Sequence, residues 1–419
     1  MKVLVVGGGG REHALVHKLS QSPKVEKIYC APGNAGISYL AECVDIKVGD
    51  IEKFKEFVIK NNIDLTVVGP EMPLVQGIVD EFERKGLKIF GPNKKAASIE
   101  GSKYFAKQFL SKYNIPTGRF KAFDKYQEAL KFLKETWYPV VIKADGLAQG
   151  KGVFIVKDFI EAKEVLDLVM KKRIFGTSGD IIVVEEMLFG KEASVFAFVD
   201  GKNILPMVTA MDYKKIYEKD EGPNTGGMGS IAPNPCIDKE TLDEIIENIL
   251  KPVVKALQKE GIVYKGVLYT GLMLTKEGPK VVEFNARFGD PETQVVLPLL
   301  KTDLVEIIEA TLEGKVDKVQ IEWEDKKAVC AVIASSGYPG EYKTGFEIKG
   351  LENIKEAFVY HAGTTLKEGK IVTSGGRVLG ITATGNSYEE AREKVYREIQ
   401  KINFEGMYYR KDIGIVSQV

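Results

Sequence analysis

"KVVEFNARFGDPETQ", residues 280–294, is the stretch on which the reading of this chain turns. Residues of a strand alternate between its two faces, so Val281, Glu283, Asn285 and Arg287 are expected to point one way and Val282, Phe284 and Ala286 the other. The second set is apolar and suits a core. The first offers a carboxylate, an amide oxygen and a guanidinium in order. Mg²⁺ takes oxygen ligands and commonly shares them with substrate phosphates, so Glu283 and Asn285 are expected to hold a divalent cation against a nucleotide. Arg287 is then placed to offset charge on a transferring phosphoryl group. The competing reading is an amphipathic strand with a solvated polar face.

Upstream, "VVIKADGLAQGKGVFIV" (residues 140–156) reads as two strands around a glycine-rich turn. It is no Walker loop: the spacing is one residue short, and Gly152 stands where a metal-binding hydroxyl belongs. A glycine hairpin folded over a triphosphate fits better, with Lys143 as a point charge on the phosphates. A surface loop is the alternative. "GPNTGGMGSIAPNP" (222–235) has the composition of an irregular, mobile segment.

At the other end, "MKVLVVGGGGREHALVHKL" (1–19) invites a dinucleotide reading. That fingerprint needs a third glycine where Glu12 or His13 stands, and an acidic residue at the tip of the second strand, which ends in "CAPGNAG". It fails on both. Gly7–Gly10 are expected instead to form an anion nest at a helix N-terminus, with a ligand-free tight turn as the alternative. His13 and His17 lie four apart but lack the metalloprotease glutamate, and are read as packing or surface residues, His13 near the nest. His361 has no local partner in the sequence.

The 419 residues suffice for two or three domains. Strands alternate with helices up to "GPNKKAASIEGSK", implying a parallel sheet; alternating strands follow, and a smaller strand-rich unit begins near Ala328. Lys plus Arg and Asp plus Glu number 59 each, so no global field favours nucleic acid or a membrane surface. Four scattered cysteines, Cys30, Cys43, Cys236 and Cys330, suggest buried thiols in a reducing compartment. With no leader or spanning segment apparent, the expected location is cytoplasmic.

Together, "GGGGREHA", "APGNAG", "VVGPEMPLV", "EGSKYFAK", "VIKADGLAQGKGV", "GPNTGGMG", "EFNARFGDPETQ", "GYPG", "HAGT", "GGRVLG" and "YRKDIG" resemble the ATP-grasp superfamily. Within it they resemble the phosphoribosylamine–glycine ligase (glycinamide ribonucleotide synthetase) family, nearly end to end. The resemblance implies an α/β and α+β chain: an N-terminal pre-ATP-grasp parallel-sheet domain (1–102) that binds substrate, and a central ATP-grasp fold (103–327). The flap-bearing subdomain would span about 120–190, and a strand-rich C-terminal lobe 328–419. It implies ATP as co-substrate, Mg²⁺ or Mn²⁺ as cofactor, and ligation of glycine to 5-phospho-D-ribosylamine through glycyl phosphate in purine biosynthesis.

By the same resemblance ATP would meet Lys103, Lys143, Gly146, Gly150, Lys151, Gly152, the hinge Glu185, Glu186 and Leu188, and Glu192 at the ribose. Glu283 and Asn285 match the metal positions, and no acidic residue near Gly271 supplies a third ligand. Gly9, Gly10, Arg11, Asn34, Glu71, Asp212 and Arg377 are expected at the other substrates. Asp290 is expected to orient the amine or accept its proton, beside Arg287 and Lys143 in the chemistry. A monomer acting on small molecules is expected, with transient contact to neighbouring purine-pathway enzymes. A different ATP-dependent carboxylate–amine ligase, a biotin-type carboxylase and a non-catalytic nucleotide sensor remain as alternatives.

Overall fold

The computed structural model describes residues 1–147 and 152–416. The first five strands form a wholly parallel sheet in the order Glu42–Cys43, Lys27–Pro32, Lys2–Gly7, Leu65–Val68, Ile89–Phe90. The inner strands bury both faces, since crossover helices cover the sheet on either side: Val3, Leu4, Val5 and Val6 are each fully buried. Strand order reverses between Lys2–Gly7 and Leu65–Val68, which leaves a crevice at their C-terminal tips, Gly7 and Gly69.

Two antiparallel four-stranded sheets follow. One runs Phe120–Phe123, Ile182–Glu186, Val140–Ala144, Val153–Val156 and packs under the helices Tyr126–Glu135 and Phe159–Leu166. The hairpin of the glycine flap belongs to it, with Lys143 paired to Val153. The other runs Ile204–Pro206, Lys191–Asp200, Lys265–Thr275, Gly278–Asn285, so the Glu283–Asn285 segment ends an edge strand.

The last sheet is built on Lys327–Ser335 and Arg377–Gly385, with Phe358–His361 and Met407–Tyr408. It also takes in Met211–Asp212 and Gly229–Ala232, so two short strands from within residues 103–327 pair into the sheet of the C-terminal region. The segment between them departs from the irregular reading. Glu221–Asn224 pairs with Lys215–Tyr217, and Thr225–Gly227 is tied by Thr225 N to Lys214 O (2.7 Å) and Gly226 N to the Tyr338 hydroxyl (2.9 Å). Composition marked the glycines but not the contact of Gly226 with Tyr338, 112 residues away.

Cys30 and Cys330 are buried, whereas Cys43 is exposed and Cys236 intermediate, and all four are free thiols. The expectation of four buried thiols therefore holds for two. No helix among the described residues is long and apolar enough to cross a membrane.

Candidate active site

A cavity of about 300 Å³ lies between the two four-stranded sheets. Lys103, Lys143, Gly146, Gly152, Glu185, Glu186, Leu188, Glu192, Asp212, Glu283, Asn285, Arg287, Asp290 and Glu71 all line it. Gly150 and Lys151 lie outside the described residues.

The strand carrying Glu283 does not alternate strictly. Leu272 pairs with Val281 and Gly271 with Glu283, so Val282 is an extra residue. This bulge places Val281, Phe284 and Ala286 together in the core, and Val282 beside Glu283 on the cavity wall. The expected pairing of Val281 with Glu283 on one face is thus corrected, because an inserted residue re-aims those that follow it. Gly271 has a local reason: a Cβ there would stand 3.2 Å from Glu283 Cγ.

Two lysines meet one glutamate on the opposite wall, with a third beside them. Ser102 caps the helix Lys103–Lys112, whose i,i+4 face presents Lys103 and Lys107 together. Lys107 Nζ lies 2.8 Å and Lys143 Nζ 3.0 Å from the carboxylate of buried Glu185. Lys143 also donates to Val282 O (3.1 Å) and Lys103 to Gly146 O (2.8 Å). Burial lowers Lys103, and it lowers Lys107 to about 8 against the pull of Glu185. The Glu185 side chain therefore aims Lys107 and Lys143. Glu186 turns to Arg119, Nε to Oε2 at 2.7 Å, so a hinge contact to adenine would come from the backbone of 185–188.

Burial alone would raise Glu283, yet Lys214, Lys143, Lys103 and Arg287 hold it below its usual range. Asn285 Oδ1 accepts from Arg287 Nη2 (3.2 Å). An ionised carboxylate and an amide oxygen are hard donors of the kind Mg²⁺ takes when phosphates and water complete its shell. No group of three or more His, Cys, Asp or Glu suited to a metal occurs among the described residues.

Arg287 bridges this strand to the first domain, with Nε 2.9 Å from Glu71 and Nη2 3.0 Å from Glu100. Two carboxylates share one guanidinium and separate. Glu71, despite burial, is held at about 2 by Arg287 and Arg11, whereas fully buried Glu100, with Glu71 opposing its charge, is pushed up to about 7. Asp290 meets Arg377 at 3.1 Å and accepts from Gln294 Nε2 at 2.8 Å. Burial would raise it, but Arg377 and Arg11 keep it low. An acceptor of a proton near pH 7 needs the opposite shift, so Asp290 suits orientation rather than proton transfer. Asp212 carries that shift, raised to about 7 by burial and by Glu292, Glu192 and Glu283 against Lys214.

The first glycine loop differs most from expectation. Glu12 accepts from Gly9 N (2.6 Å) and Arg11 Nε (2.6 Å), so the amide of Gly9 expected to meet an anion already holds the chain's own carboxylate. Asn34 is also spent internally. Its Nδ2 donates to Gly8 O and His361 O, and its Oδ1 accepts from Gly36 N and Ile37 N. That saturates a buried amide. His361, without a local partner in sequence, donates its N–H to His13 Nδ1 (2.9 Å) and joins the first helix to the last sheet.

The sequence reading missed Lys107, Glu100, Lys214, Glu292 and the role of Glu12. Lys107 was signalled by its place four residues after Lys103, and Glu12 by its place three residues after the cap, Gly9. Glu100 and Glu292 carried no local signal. Glu292 accepts from the Tyr269 hydroxyl (2.7 Å), a contact made only by the fold.

A nucleotide clasped between two antiparallel sheets, lysines on one side and a cation-holding strand on the other, is the arrangement of the ATP-grasp class. Residues 1–100 match the N domain of phosphoribosylglycinamide synthetase, 101–293 its ATP-grasp (A) domain and 328–416 its C domain. The chain belongs to the phosphoribosylglycinamide synthetase family of ATP-grasp ligases. It is 81% identical over 414 residues to a phosphoribosylamine–glycine ligase of Caldanaerobacter subterraneus, covering 99% of each chain, and 50% identical to that of Clostridium acetobutylicum at the same coverage. The crystal structure of the Thermotoga maritima phosphoribosylamine–glycine ligase superposes with a TM-score of 0.87 at 36% identity, over 98% of this chain and 100% of that one. The biotin carboxylase domain of Hydrogenobacter thermophilus 2-oxoglutarate carboxylase shares the fold, with a TM-score of 0.75 at 16% identity over 97% of this chain and 91% of that one.

Proposed function

We propose that the chain joins glycine to 5-phospho-D-ribosylamine, splitting ATP to ADP and phosphate and forming glycinamide ribonucleotide for purine biosynthesis. The observation that carries this reading is the Arg287 bridge. Through it the nucleotide side, Glu283 and Asn285, and Glu71 of the N-terminal region, at the start of the helix Glu71–Gln76, face one cavity. Relatives named phosphoribosylamine–glycine ligase align along the whole chain, and four free thiols suit a cytoplasmic enzyme.

Glu283 and Asn285 would hold Mg²⁺ or Mn²⁺, which when bound supplies positive charge to the triphosphate. Lys103 and Lys143 bind phosphate oxygens, aimed by Gly146 O and by Glu185. The backbone of Glu185–Leu188 receives adenine and Glu192 the ribose, with Gly146 and Gly152 of the flap above. The glycine carboxylate attacks the γ-phosphorus, ADP leaves, and Arg287 offsets the charge that accumulates. Glycyl phosphate then meets the ribosylamine nitrogen at its acyl carbon, and the bond to phosphate breaks. Asp290 orients the amine, and Asp212, poised near neutrality, accepts its proton. Gly10, Arg11, Glu71 and Arg377 stand on the phosphoribosylamine side.

Phosphate release measured with glycine and phosphoribosylamine, each omitted in turn, tests the assignment. Release that needs both supports it. Release driven by bicarbonate without the amine would favour a carboxylase, and ATP binding without turnover a sensor.

A further inference from the structure

In a parallel sheet of this strand order, the crevice between the tips of Lys2–Gly7 and Leu65–Val68 is where a ligand phosphate ordinarily rests against the following helix N-terminus. Here Glu12 fills it. Its Oε2 accepts from Gly9 N at 2.6 Å and its Oε1 from Arg11 Nε at 2.6 Å. The backbone is cut to its shape: a Cβ on Gly7 would lie 2.6 Å from Glu12 Cγ, on Gly9 2.9 Å from Oε2, and on Gly69 2.1 Å from Oε1. Gly7, at φ +120°, also needs glycine for its backbone. Three glycines from two strand tips thus enclose one carboxylate, and Glu12 itself is 2% exposed.

The same contact fixes Arg11. Glu12 holds Nε, and Nη1 donates to Phe288 O at 3.2 Å, which seats the planar guanidinium against the segment leading to Asp290. We propose that Glu12 is a positioning residue: a built-in anion that takes the phosphate place of the crevice and turns Arg11 and the Gly9–Gly10 backbone toward the sugar-phosphate amine. The inference rests on the reading that Arg11 meets phosphoribosylamine. It explains why a glycine-rich strand–helix turn serves this chain without holding a dinucleotide there.

Steady-state kinetics of Glu12→Ala, Glu12→Gln and Arg11→Ala in the full chain test it. Glu12→Ala is expected to raise the KM for phosphoribosylamine roughly tenfold or more, the scale for a lost charge-assisted bond. The KM values for ATP and glycine should stay within about twofold. Added formate, a carboxylate small enough for the vacated space, should recover part of the loss in Glu12→Ala and none in Glu12→Gln. Should Glu12→Ala not fold, Glu12→Gln, of equal size, carries the test through the same selective rise in KM. A wild-type KM for phosphoribosylamine in the folded variant, or a loss spread evenly over all three substrates, overturns the proposal; so does formate without effect on Glu12→Ala. If Arg11→Ala leaves that KM unchanged, the reading of Arg11 fails instead.

Discussion

Arg377, on the last sheet, lies 3.1 Å from Asp290, Nη2 to Oδ2, and its Nη1 donates to the Asp290 carbonyl at 3.0 Å and to Gly226 O. One guanidinium thereby joins the C-terminal region, the GPNTGGMG segment and the turn that follows the Gly278–Asn285 strand. Arg377→Ala should raise the KM for phosphoribosylamine by about ten- to a hundredfold, the worth of a charge-assisted contact. The KM for ATP should hardly move. If the glycine dependence alone shifts, Arg377 serves the other substrate.

Arg287 neutralises two carboxylates at once. Arg287→Ala should lower kcat by about a hundredfold, the scale for one preorganised donor. It should also cost about 3–5 kcal/mol of stability, since it removes the partner of buried Glu100 and of part-buried Glu71. Urea unfolding checks the second number, and adding Glu100→Gln to the variant should restore part of it. A variant of wild-type stability would show that the ion pairs contribute nothing net.

His13 and His361 are buried and are pushed down to about 3 and about 4, chiefly by burial. They stay neutral in the fold but protonate near 6.5 when it opens, so the unfolded chain binds more protons in acid. The histidine contribution to stability is complete above about pH 6.5 and falls toward pH 4, by about 1 kcal/mol per pH unit for each histidine, while Glu100 and Asp212, raised in the fold, contribute with the opposite sign over the same range. Denaturant titrations of wild type and His13→Gln across this range should show a difference in stability that changes with this slope. An unchanged slope would place the acid sensitivity elsewhere.

As the proposed proton acceptor Asp212 works only when ionised, so kcat/KM should fall as pH drops below about 7. Asp212→Asn should lose most of the rate and, with it, that acid limb. A limb that persists in the variant belongs to another group.

The parallel sheet was legible because its strands are short β-branched runs between helical stretches, and local pattern settles such elements. Glu283 and Asn285 were legible because oxygen donors two apart on a strand need no partner to be noticed. What escaped depended on distant chain. The bulge at Val282 exists only against Gly271 and Leu272 of the neighbouring strand. Asn34 looked available until Gly8, Gly36, Ile37 and His361 were seen to use all its bonds. Glu12 looked like a flaw in a fingerprint, whereas Gly7 and Gly69 are shaped around it.

A divalent cation held by Glu283 and Asn285 is proposed to anchor the triphosphate. A crystal of the full chain grown with Mn²⁺ and a non-hydrolysable ATP analogue tests it most directly, since Mn²⁺ scatters anomalously. The account predicts an anomalous peak about 2.1 Å from oxygens of both residues and of the phosphates, the range of octahedral oxygen coordination. A peak bound to phosphate but remote from both side chains would contradict it.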